Sequence, residues 1–250
     1  MYTEYLNLAI ETAKKAGDYL LGRKDISIDS SNGKDIKLSS DRGSESIIIE
    51  ELSSSEIPIL SEESGLIGFP SNSFWIIDPL DGSMNYYKGI DGFSCVSIAL
   101  WDSGEPVVGV INRFERAEIF TGVVTGNAML NDEIIKPSSV KFVSQAVMAT
   151  GFPVKRNYTE DSLSHFVKQV RLFKKVRMLG SAAIMSAFVA CGRLDAYFEE
   201  DIMLWDIAAA MAIVKSAGGA VDYQAKEDYK CVFRCFATHG LMEDYSAEGL

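Results

Sequence analysis

Four segments rich in β-forming residues follow one another between residues 74 and 126, and they constrain the fold more than any other part of the sequence. They are FWIIDP, FSCVSIALWD, EPVVGVINRF and AEIFTGVVTG, and Gly, Asp and Ser residues separate them. Strands joined by such short polar turns usually pair with their neighbours in antiparallel order. The sequence therefore predicts an antiparallel meander in the first half of the chain.

The residues before this meander favour two helices separated by a loop. The opening stretch MYTEYLNLAIETAKKAGDYLL has apolar residues at helical spacing, acids at Glu4 and Glu11 and no basic leader, so it predicts an amphipathic helix. Residues 30–46 are polar and contain glycine, which predicts a loop, and a second helix is expected over about 45–53. IPIL and the SEESG that follows it suggest a short strand ending in two carboxylates.

The second half of the chain alternates strands with helices. Helix-like segments lie near 159–174, 181–191 and 205–217, and short strand-like segments lie between and after them. Alternation of this kind favours a layered α/β arrangement. We therefore divide the chain into an α+β subdomain over 1–136 and an α/β subdomain over 137–250.

The charge balance limits the classes of partner. The 250 residues carry a net charge of −11, which argues against nucleic acid as the main partner because phosphate backbones require clustered basic residues. A small anionic substrate stays compatible, since cations held by carboxylates can attract anions. The four cysteines lack zinc spacing, and no apolar run is long enough to span a membrane. We expect a cytoplasmic protein without a membrane partner.

The first acidic motif is WIIDPLDGSMN, in which an apolar strand-like run ends at Asp78 and Asp81. Pro79 fixes its own φ and Gly82 permits a tight turn, so the two carboxylates can face one small volume. The amides of Gly82 and Ser83 would lie beside them. Carboxylate oxygens suit a hard cation such as Mg²⁺, and free amides suit a phosphate. Taken alone, the motif is explained more simply as an aspartate-rich surface turn that caps the next helix.

Two further acidic clusters make a metal site a better explanation than a surface turn. Glu62 and Glu63 follow an apolar segment in SEESG, and Asp206 opens the apolar helix of LWDIAAAMAIVKSAGG. Each has a simpler explanation of its own, as solvated loop charges or as an N-cap. Trp205 directly before Asp206 nevertheless indicates a partly buried acid, which needs a partner. Converging carboxylates would repel one another by about 4 kcal/mol per close pair, so convergence would imply bound cations.

Other phosphate and metal sites fit the sequence less well. A phosphatase of the haloacid dehalogenase type needs Asp-x-Asp, whereas this chain has Asp-x-x-Asp. An EF-hand loop starting at Asp78 would place Leu80 and Ser83 where a ligand and a glycine are required. The chain contains no P-loop signature and no Gly-x-Ser-x-Gly turn. These alternatives therefore lose support.

In these motifs the sequence resembles the inositol monophosphatase family, part of the superfamily that includes fructose-1,6-bisphosphatases. WIIDPLDGSMN is similar to the family's first signature, and LWDIAAAMAIVKSAGGAVDY is similar to its second. SEESG occupies the place of the family's Glu-Glu-Ser element, and MLGSAA at 178–183 matches its Gly-Ser-Ala element. The resemblance implies a layered α-β-α-β-α sandwich of the sugar-phosphatase type.

The same resemblance implies a Mg²⁺-dependent phosphomonoesterase that uses two or three ions and a metal-activated water. The metal ligands that it implies are Glu62, Asp78, the Leu80 carbonyl, Asp81 and Asp206. The residues implied in catalysis and phosphate binding are Glu62, Gly82, Ser83 and Asp41. Glu199, seven residues before Asp206, falls where the family contacts a substrate hydroxyl, and Ala182 lies beside the same pocket.

Two positions depart from the family pattern. Ser83 replaces the commoner threonine, which keeps the hydroxyl group. Leu38 stands where the family's Thr-x-x-Asp-x-x-x-Glu element has threonine. Asp41 is therefore open to two interpretations, as a ligand to a more weakly held metal or as a plain loop aspartate.

The substrate and the oligomeric state are the least constrained features. The resemblance favours inositol-1-phosphate as the substrate and a homodimer as the assembly. Fructose-1,6-bisphosphatase activity, dual activity and hydrolysis of adenosine-3′,5′-bisphosphate are alternatives. Arg177, just ahead of the Gly-Ser-Ala element, could contact a second phosphate or could be a solvated strand-end charge. A metal-binding regulator without catalysis is the rival of another class, and the intact acids argue against it.

Overall fold

The computed structural model describes residues 2–23, 26–32, 35–152 and 158–249. Within these ranges the chain forms seven α-helices and fifteen β-strands. The helices are α1 (Thr3–Gly22), α2 (Ser39–Leu52), α3 (Ser83–Lys88), α4 (Glu160–Leu172), α5 (Ala182–Ala190), α6 (Leu204–Ala217) and α7 (His239–Ala247). The strands are β1 (Ile28–Asn32), β2 (Asp35–Leu38), β3 (Ile59–Ser61), β4 (Gly65–Ile67), β5 (Ser73–Asp81), β6 (Cys95–Asp102), β7 (Glu105–Arg113), β8 (Glu118–Val123), β9 (Met129–Leu130), β10 (Glu133–Ile134), β11 (Val147–Thr150), β12 (Lys175–Arg177), β13 (Ala196–Met203), β14 (Ala220–Ala225) and β15 (Lys230–Phe236). None of the described helices combines the length and the apolar composition that crossing a membrane requires.

Most of the described strands belong to two sheets. In the larger sheet the strand order is β10-β9-β8-β7-β6-β5-β3-β4, and β5 to β8 pair in antiparallel order, which confirms the predicted meander. β3 pairs parallel to β5, so these two strands end at the same edge of the sheet. In the smaller sheet the order is β12-β11-β13-β15-β14, with β11 parallel and β15 antiparallel to β13.

Helices and sheets stack in five layers, α-β-α-β-α, as the family resemblance implied. α1 and α2 cover one face of the larger sheet. α5 and α6 lie between the two sheets, and their apolar core includes residues from both. α4 and α7 cover the outer face of the smaller sheet. The larger sheet uses residues 59–134 and the smaller one 147–236, and the division into subdomains at residue 136 stays a prediction.

Glycines in the larger sheet allow α6 to lie directly against it. A Cβ on Gly109 would lie 2.1 Å from the Ala209 carbonyl oxygen, and a Cβ on Gly122 would lie 2.6 Å from the Ile213 Cα. Side-chain atoms do not approach a backbone this closely, so only glycine fits while the helix stays in place. This contact fixes the position of α6, and with it Asp206 in the first turn of that helix.

The predicted loop over 30–46 is wrong for most of its described length. β1 and β2 pair as an antiparallel hairpin, and α2 already begins at Ser39, several residues before the predicted start. The Asp41 carboxylate accepts a hydrogen bond from the Leu38 amide at 2.6 Å, which stabilises this early helix start. Ser40, Asp41, Ser44 and Glu45 are buried in α2, so polar composition here does not indicate a lack of regular structure. Residues 33 and 34 lie outside the described residues.

The other predicted helices agree better with the structure. The opening helix is confirmed as α1, and the three helices predicted in the second half are confirmed as α4, α5 and α6. The sequence patterns did not indicate β15 or α7 at the end of the chain. Both belong to the smaller sheet and its outer layer, where β15 pairs with β13 and β14.

The contact between α6 and the larger sheet predicts the effect of a single methyl group. Gly109→Ala should lower the free energy of unfolding by about 1–3 kcal/mol, because the helix or the strand must move to avoid the overlap. Gly22→Ala is the matched control, since a Cβ at Gly22 has no atom within 4 Å, and its stability should stay near that of the wild type. Urea denaturation of the three proteins measures the difference. Equal stability of Gly109→Ala and the wild type would contradict the close approach.

Candidate functional site

A cleft of about 510 Å³ opens where the ends of β3 and β5 meet the helices of the central layer. Its walls come from both sheets, because residues after β11 and on β13 line it as well. The acidic residues that line the cleft are Asp41, Glu62, Glu63, Asp78, Asp81, Glu199, Asp201 and Asp206. Acids from all three sequence motifs therefore reach the same volume.

Glu62, Asp78 and Asp206 form the closest acidic group, with one carboxylate oxygen of each lying within 4.8 Å of the others. β3 runs parallel beside β5, and the Glu62 amide donates to the Ile77 carbonyl at 3.3 Å, which brings Glu62 level with Asp78. Asp206 comes from the opposite side, in the first turn of α6, and accepts a hydrogen bond from the Met203 amide at 3.2 Å. Three elements far apart in sequence thus present their carboxylates to one point.

Asp81 lies in the same cleft and is oriented by α5. Its Oδ2 accepts hydrogen bonds from the Ser181 hydroxyl at 2.6 Å and from the Ala183 amide at 2.8 Å. Ser181 is also the N-cap of α5, because its Oγ accepts from the Ile184 amide at 3.2 Å. Negative charge is favourable at the N-terminus of a helix. The start of α5 therefore holds one carboxylate oxygen of Asp81 in a fixed direction.

The turn after β5 requires glycine at its centre. Gly82 has a φ of +85°, and a Cβ there would lie 2.4 Å from the Phe93 carbonyl oxygen. Ser83 begins α3, and its hydroxyl donates to the Leu80 carbonyl at 2.8 Å. The Asp78 side chain accepts from the Leu80 amide at 3.0 Å. The backbone of this turn is thereby held along the wall of the cleft.

Asp41 reaches the cleft from the first turn of α2. Its Oδ1 lies 3.4 Å from the Ser83 hydroxyl oxygen. One turn further along α2, Glu45 accepts hydrogen bonds from the two serines that flank the Glu62–Glu63 pair. The structure therefore places Asp41 in a helix beside the acidic group, and α2 also braces the turn that carries Glu62.

A family model described as "Inositol monophosphatase family" matches residues 1–244 of the chain. The chain belongs to the inositol monophosphatase family. An inositol-1-monophosphatase of Synechocystis is 35% identical over 254 residues, covering 98% of this chain and 88% of the relative. The Nus factor SuhB of Xylella fastidiosa is 37% identical over 223 residues, covering 86% of this chain and 80% of the relative. A solved inositol monophosphatase from Anabaena superposes with a TM-score of 0.86 at 32% identity, covering 98% of this chain and 95% of the other.

Family membership makes this chain a phosphatase of the inositol monophosphatase superfamily. The inositol monophosphatase family acts on small-molecule phosphates and depends on a metal, typically Mg²⁺. The residues of the cleft fit such an ion, because the closest group consists of carboxylate oxygens, the ligands that Mg²⁺ prefers. Sequence resemblance and geometry therefore agree on the class of enzyme.

The electrostatics of the cleft also favour a bound cation. Burial raises the pKa of Glu62 to about 8, that of Asp41 to about 7 and that of Asp81 to about 6. Burial, followed by repulsion from neighbouring carboxylates, also raises the pKa of Asp78 and of Asp206. A divalent cation would supply the positive charge that stabilises these groups as anions.

The predicted substrate-binding residues separate into two sets. Glu199 and Ala182 line the cleft, on the wall that β13 and α5 form. Arg177 is exposed on the edge strand β12 and is not among the lining residues, and its Nη1 donates to the Val176 carbonyl at 2.9 Å. The predicted contact between Arg177 and a second phosphate therefore gains no support from the structure.

Three residues make interactions with acids of the cleft that the sequence motifs did not indicate. Lys37 pairs with Glu63 at 2.7 Å, Ser181 binds Asp81, and the Tyr197 hydroxyl donates to Glu199 at 2.6 Å. A serine before an apolar helix is a visible N-cap signal, and the period of two in a strand places Tyr197 on the same face as Glu199. A single lysine in a polar hairpin carries no comparable signal.

The raised pKa values predict how stability depends on pH. Unfolded Asp and Glu titrate near pH 4, so between about pH 4 and about pH 8 the folded protein holds more protons than the unfolded chain. The contribution of these groups to stability is therefore lost as the pH rises through that range. We expect the Tm in EDTA to fall between about pH 5 and about pH 8, and the Tm increase caused by Mg²⁺ to be larger at the higher pH.

Glu62→Gln is the control for this expectation, because it removes the titrating group and keeps the side-chain shape. Its Tm in EDTA should depend less on pH than that of the wild type, and its Tm should rise less when Mg²⁺ is added. Thermal melts of both proteins at three pH values, with EDTA or with Mg²⁺, measure these slopes. A Mg²⁺ effect of the same size at low and high pH would contradict the interpretation.

Proposed function

We propose that this chain is an inositol monophosphatase in activity, hydrolysing inositol-1-phosphate with Mg²⁺. The observation that carries the proposal is the grouping of Glu62, Asp78 and Asp206 within 4.8 Å of one another, in a cleft that Glu199 also lines. A family relative of 35% identity is named an inositol-1-monophosphatase, which supports this substrate. The acids would form the metal and phosphate site, and Glu199 would contact the alcohol part of the ester.

The acidic group would hold two or three Mg²⁺ ions. When bound, the ions supply Lewis-acid stabilisation of the phosphoryl oxygens and lower the pKa of water. Asp41 would contribute to the more weakly held ion. The other ligands would be Glu62, Asp78, the Leu80 carbonyl oxygen, Asp81 and Asp206.

The chain's own groups would bind the phosphate and move a proton. The amides of Gly82 and Ser83 would donate hydrogen bonds to phosphoryl oxygens as charge develops there. The Glu62 carboxylate would take a proton from the attacking water. The Ser83 hydroxyl oxygen lies 2.8 Å from the Leu80 carbonyl and 3.4 Å from Asp41 Oδ1, so it can orient that water beside a second acid. Because water is the nucleophile, no phosphoenzyme should form.

Phosphate release from a panel of esters tests the proposed reaction. With Mg²⁺ present, we expect inositol-1-phosphate to be hydrolysed with a higher kcat/KM than fructose-1,6-bisphosphate, glycerol-2-phosphate or adenosine-3′,5′-bisphosphate. Removal of metal with EDTA should abolish turnover, because the buried acids then lack their counter-charge. Unchanged turnover after exhaustive EDTA treatment would refute metal dependence. A higher kcat/KM for another ester would assign that ester as the substrate.

The role of Asp206 can be separated from its effect on the fold. Asp206→Asn keeps the side-chain shape and can still accept the Met203 amide, so stability without metal should be unchanged or improved as one repelling carboxylate is lost. Activity should fall by about two orders of magnitude or more, because an anionic metal ligand is lost.

Asp161→Asn is the matched control for Asp206→Asn, since Asp161 is an exposed acid in the first turn of α4 and lies outside the cleft lining. Phosphate release against Mg²⁺ concentration, paired with thermal melts with and without metal, compares the two variants. Normal activity of Asp206→Asn would remove this residue from the metal site.

Relatives named Nus factor SuhB favour a second candidate, in which the chain acts as a Nus factor as well as a phosphatase. The net charge of −11 opposes direct contact with nucleic acid, so a protein partner suits this role better. Retention of an RNA probe at low salt, lost at higher salt, would instead identify nucleic acid as the partner. The predicted homodimer stays a prediction.

A further inference from the structure

Charge is segregated along this acidic chain. Residues 134–194 contain ten of its 24 basic residues but only two of its 35 acids, Glu160 and Asp161. That segment therefore carries a net charge of +8 and the remaining residues carry −19, which the total of −11 conceals. An asymmetry of this kind indicates a local interaction with an anionic partner.

Five of these cations lie within ten consecutive residues, and we call them the basic patch. The patch begins on the last turns of α4 and continues onto β12, the strand at one edge of the smaller sheet. Helical residues three and four positions apart are neighbours, so Val167 and Lys168 both lie beside Arg171 on α4. All five side chains of the patch are exposed, namely Lys168, Arg171, Lys174, Lys175 and Arg177.

No described acid forms an ion pair with a residue of the basic patch. Lysines elsewhere in the described chain do have such partners, since Lys14 lies 2.9 Å from Glu11 and Lys215 lies 3.1 Å from Glu105. Within the patch, Arg177 donates to the Val176 carbonyl, which carries no net charge. The positive charges of the patch are therefore not neutralised by neighbouring acids of the described chain.

Local structure accounts for only part of this arrangement. A cation in the last turn of a helix is favourable, which suits Arg171. Charged side chains on an edge strand discourage pairing with other strands, which suits Lys175 and Arg177. Neither effect excludes acids from the same surface, and interspersed acids would relieve the repulsion among the cations. Their absence therefore favours an anion that comes from outside the chain.

Nucleic acid fits the basic patch less well than an acidic peptide does. Single strands bind by stacking bases on exposed aromatic rings, but the phenylalanines next to the patch, Phe166 and Phe173, are buried. Tyr158 is exposed, but it lies before the N-terminal end of α4, a helix about 20 Å long. The half-exposed Val167 instead offers an aliphatic contact beside the cations. A short peptide can also stay on the patch, whereas a long polyanion would meet the acidic remainder of the chain.

We propose that the basic patch is a docking surface for a carboxylate-rich segment of a partner protein. Lysine and arginine side chains bind carboxylates through charge-assisted hydrogen bonds, and complementary charge steers such an encounter. None of the five residues lines the cleft, so this docking surface is separate from the proposed phosphatase site.

Binding of a fluorescein-labelled decaglutamate peptide to the full chain tests the proposal. We expect the double variant Lys174→Glu/Lys175→Glu to raise the Kd by about tenfold or more, because one exposed ion pair changes a Kd by up to about fivefold. The Kd of the wild type should also rise between about 50 mM and about 300 mM NaCl, since salt screens exposed charges. Fluorescence anisotropy measures both effects.

The matched control is Lys14→Glu/Lys215→Glu, which changes the net charge equally at two lysines outside the basic patch. Its Kd for the peptide should stay within about twofold of the wild-type value. Arg171→Gln/Lys175→Gln is a milder variant of the patch, and it should weaken binding even if the charge reversal impairs folding. Thermal melts of all four proteins establish that the compared variants are folded.

Three results would overturn the proposal. The first is an equal Kd for the patch variants and the matched control, which would mean that overall charge alone governs binding. The second is tighter binding of a ten-nucleotide single-stranded RNA than of the peptide, lost in the patch variants, which would make nucleic acid the occupant. The third is a molar mass in light scattering that falls only in the patch variants, which would make a second copy of this chain the occupant.

Discussion

Repulsion among buried carboxylates is the constraint on which the rest of this structure depends. The fold brings acids from the turn after β3, from β5 and from α6 within 4.8 Å of one another, where burial and their mutual repulsion raise their pKa values. In the absence of a cation this arrangement destabilises the folded state, and the apolar core that joins α5 and α6 to both sheets must offset that cost. The close packing of α6 on Gly109 and Gly122 is part of that compensation.

Four acids of the cleft share a second property, which is that hydrogen bonds from nearby backbone amides orient them. In each case one carboxylate oxygen accepts an amide close to the cleft, and this direction is set before any ligand binds. The acids held in this way are Asp41 by Leu38, Asp78 by Leu80, Asp81 by Ala183 and Asp206 by Met203. Such bonds also lower the cost of the negative charge, which makes the cluster compatible with a stable fold.

The two sheets contribute different parts of the cleft. The larger sheet, with α2 and α6, supplies the acids suited to metal and phosphate, whereas β11 and β13 of the smaller sheet supply the wall with Gly151 and Glu199. The relatives share the family but carry different names, inositol-1-monophosphatase and Nus factor SuhB. Family membership therefore establishes the phosphatase class, and the substrate stays a proposal.

The sequence by itself determined the meander, the main helices and the acidic motifs, because strand and helix periodicity and turn residues are local properties of the chain. It also placed Glu62, Asp78 and Asp206 at the ends of such elements. Only the tertiary structure decided that these acids meet, that Asp41 belongs to α2 and that Arg177 stays outside the cleft. The bond between Tyr197 and Glu199 and the close fit of α6 were likewise decided there. Distances between residues remote in sequence depend on how layers pack, and local patterns do not encode those distances.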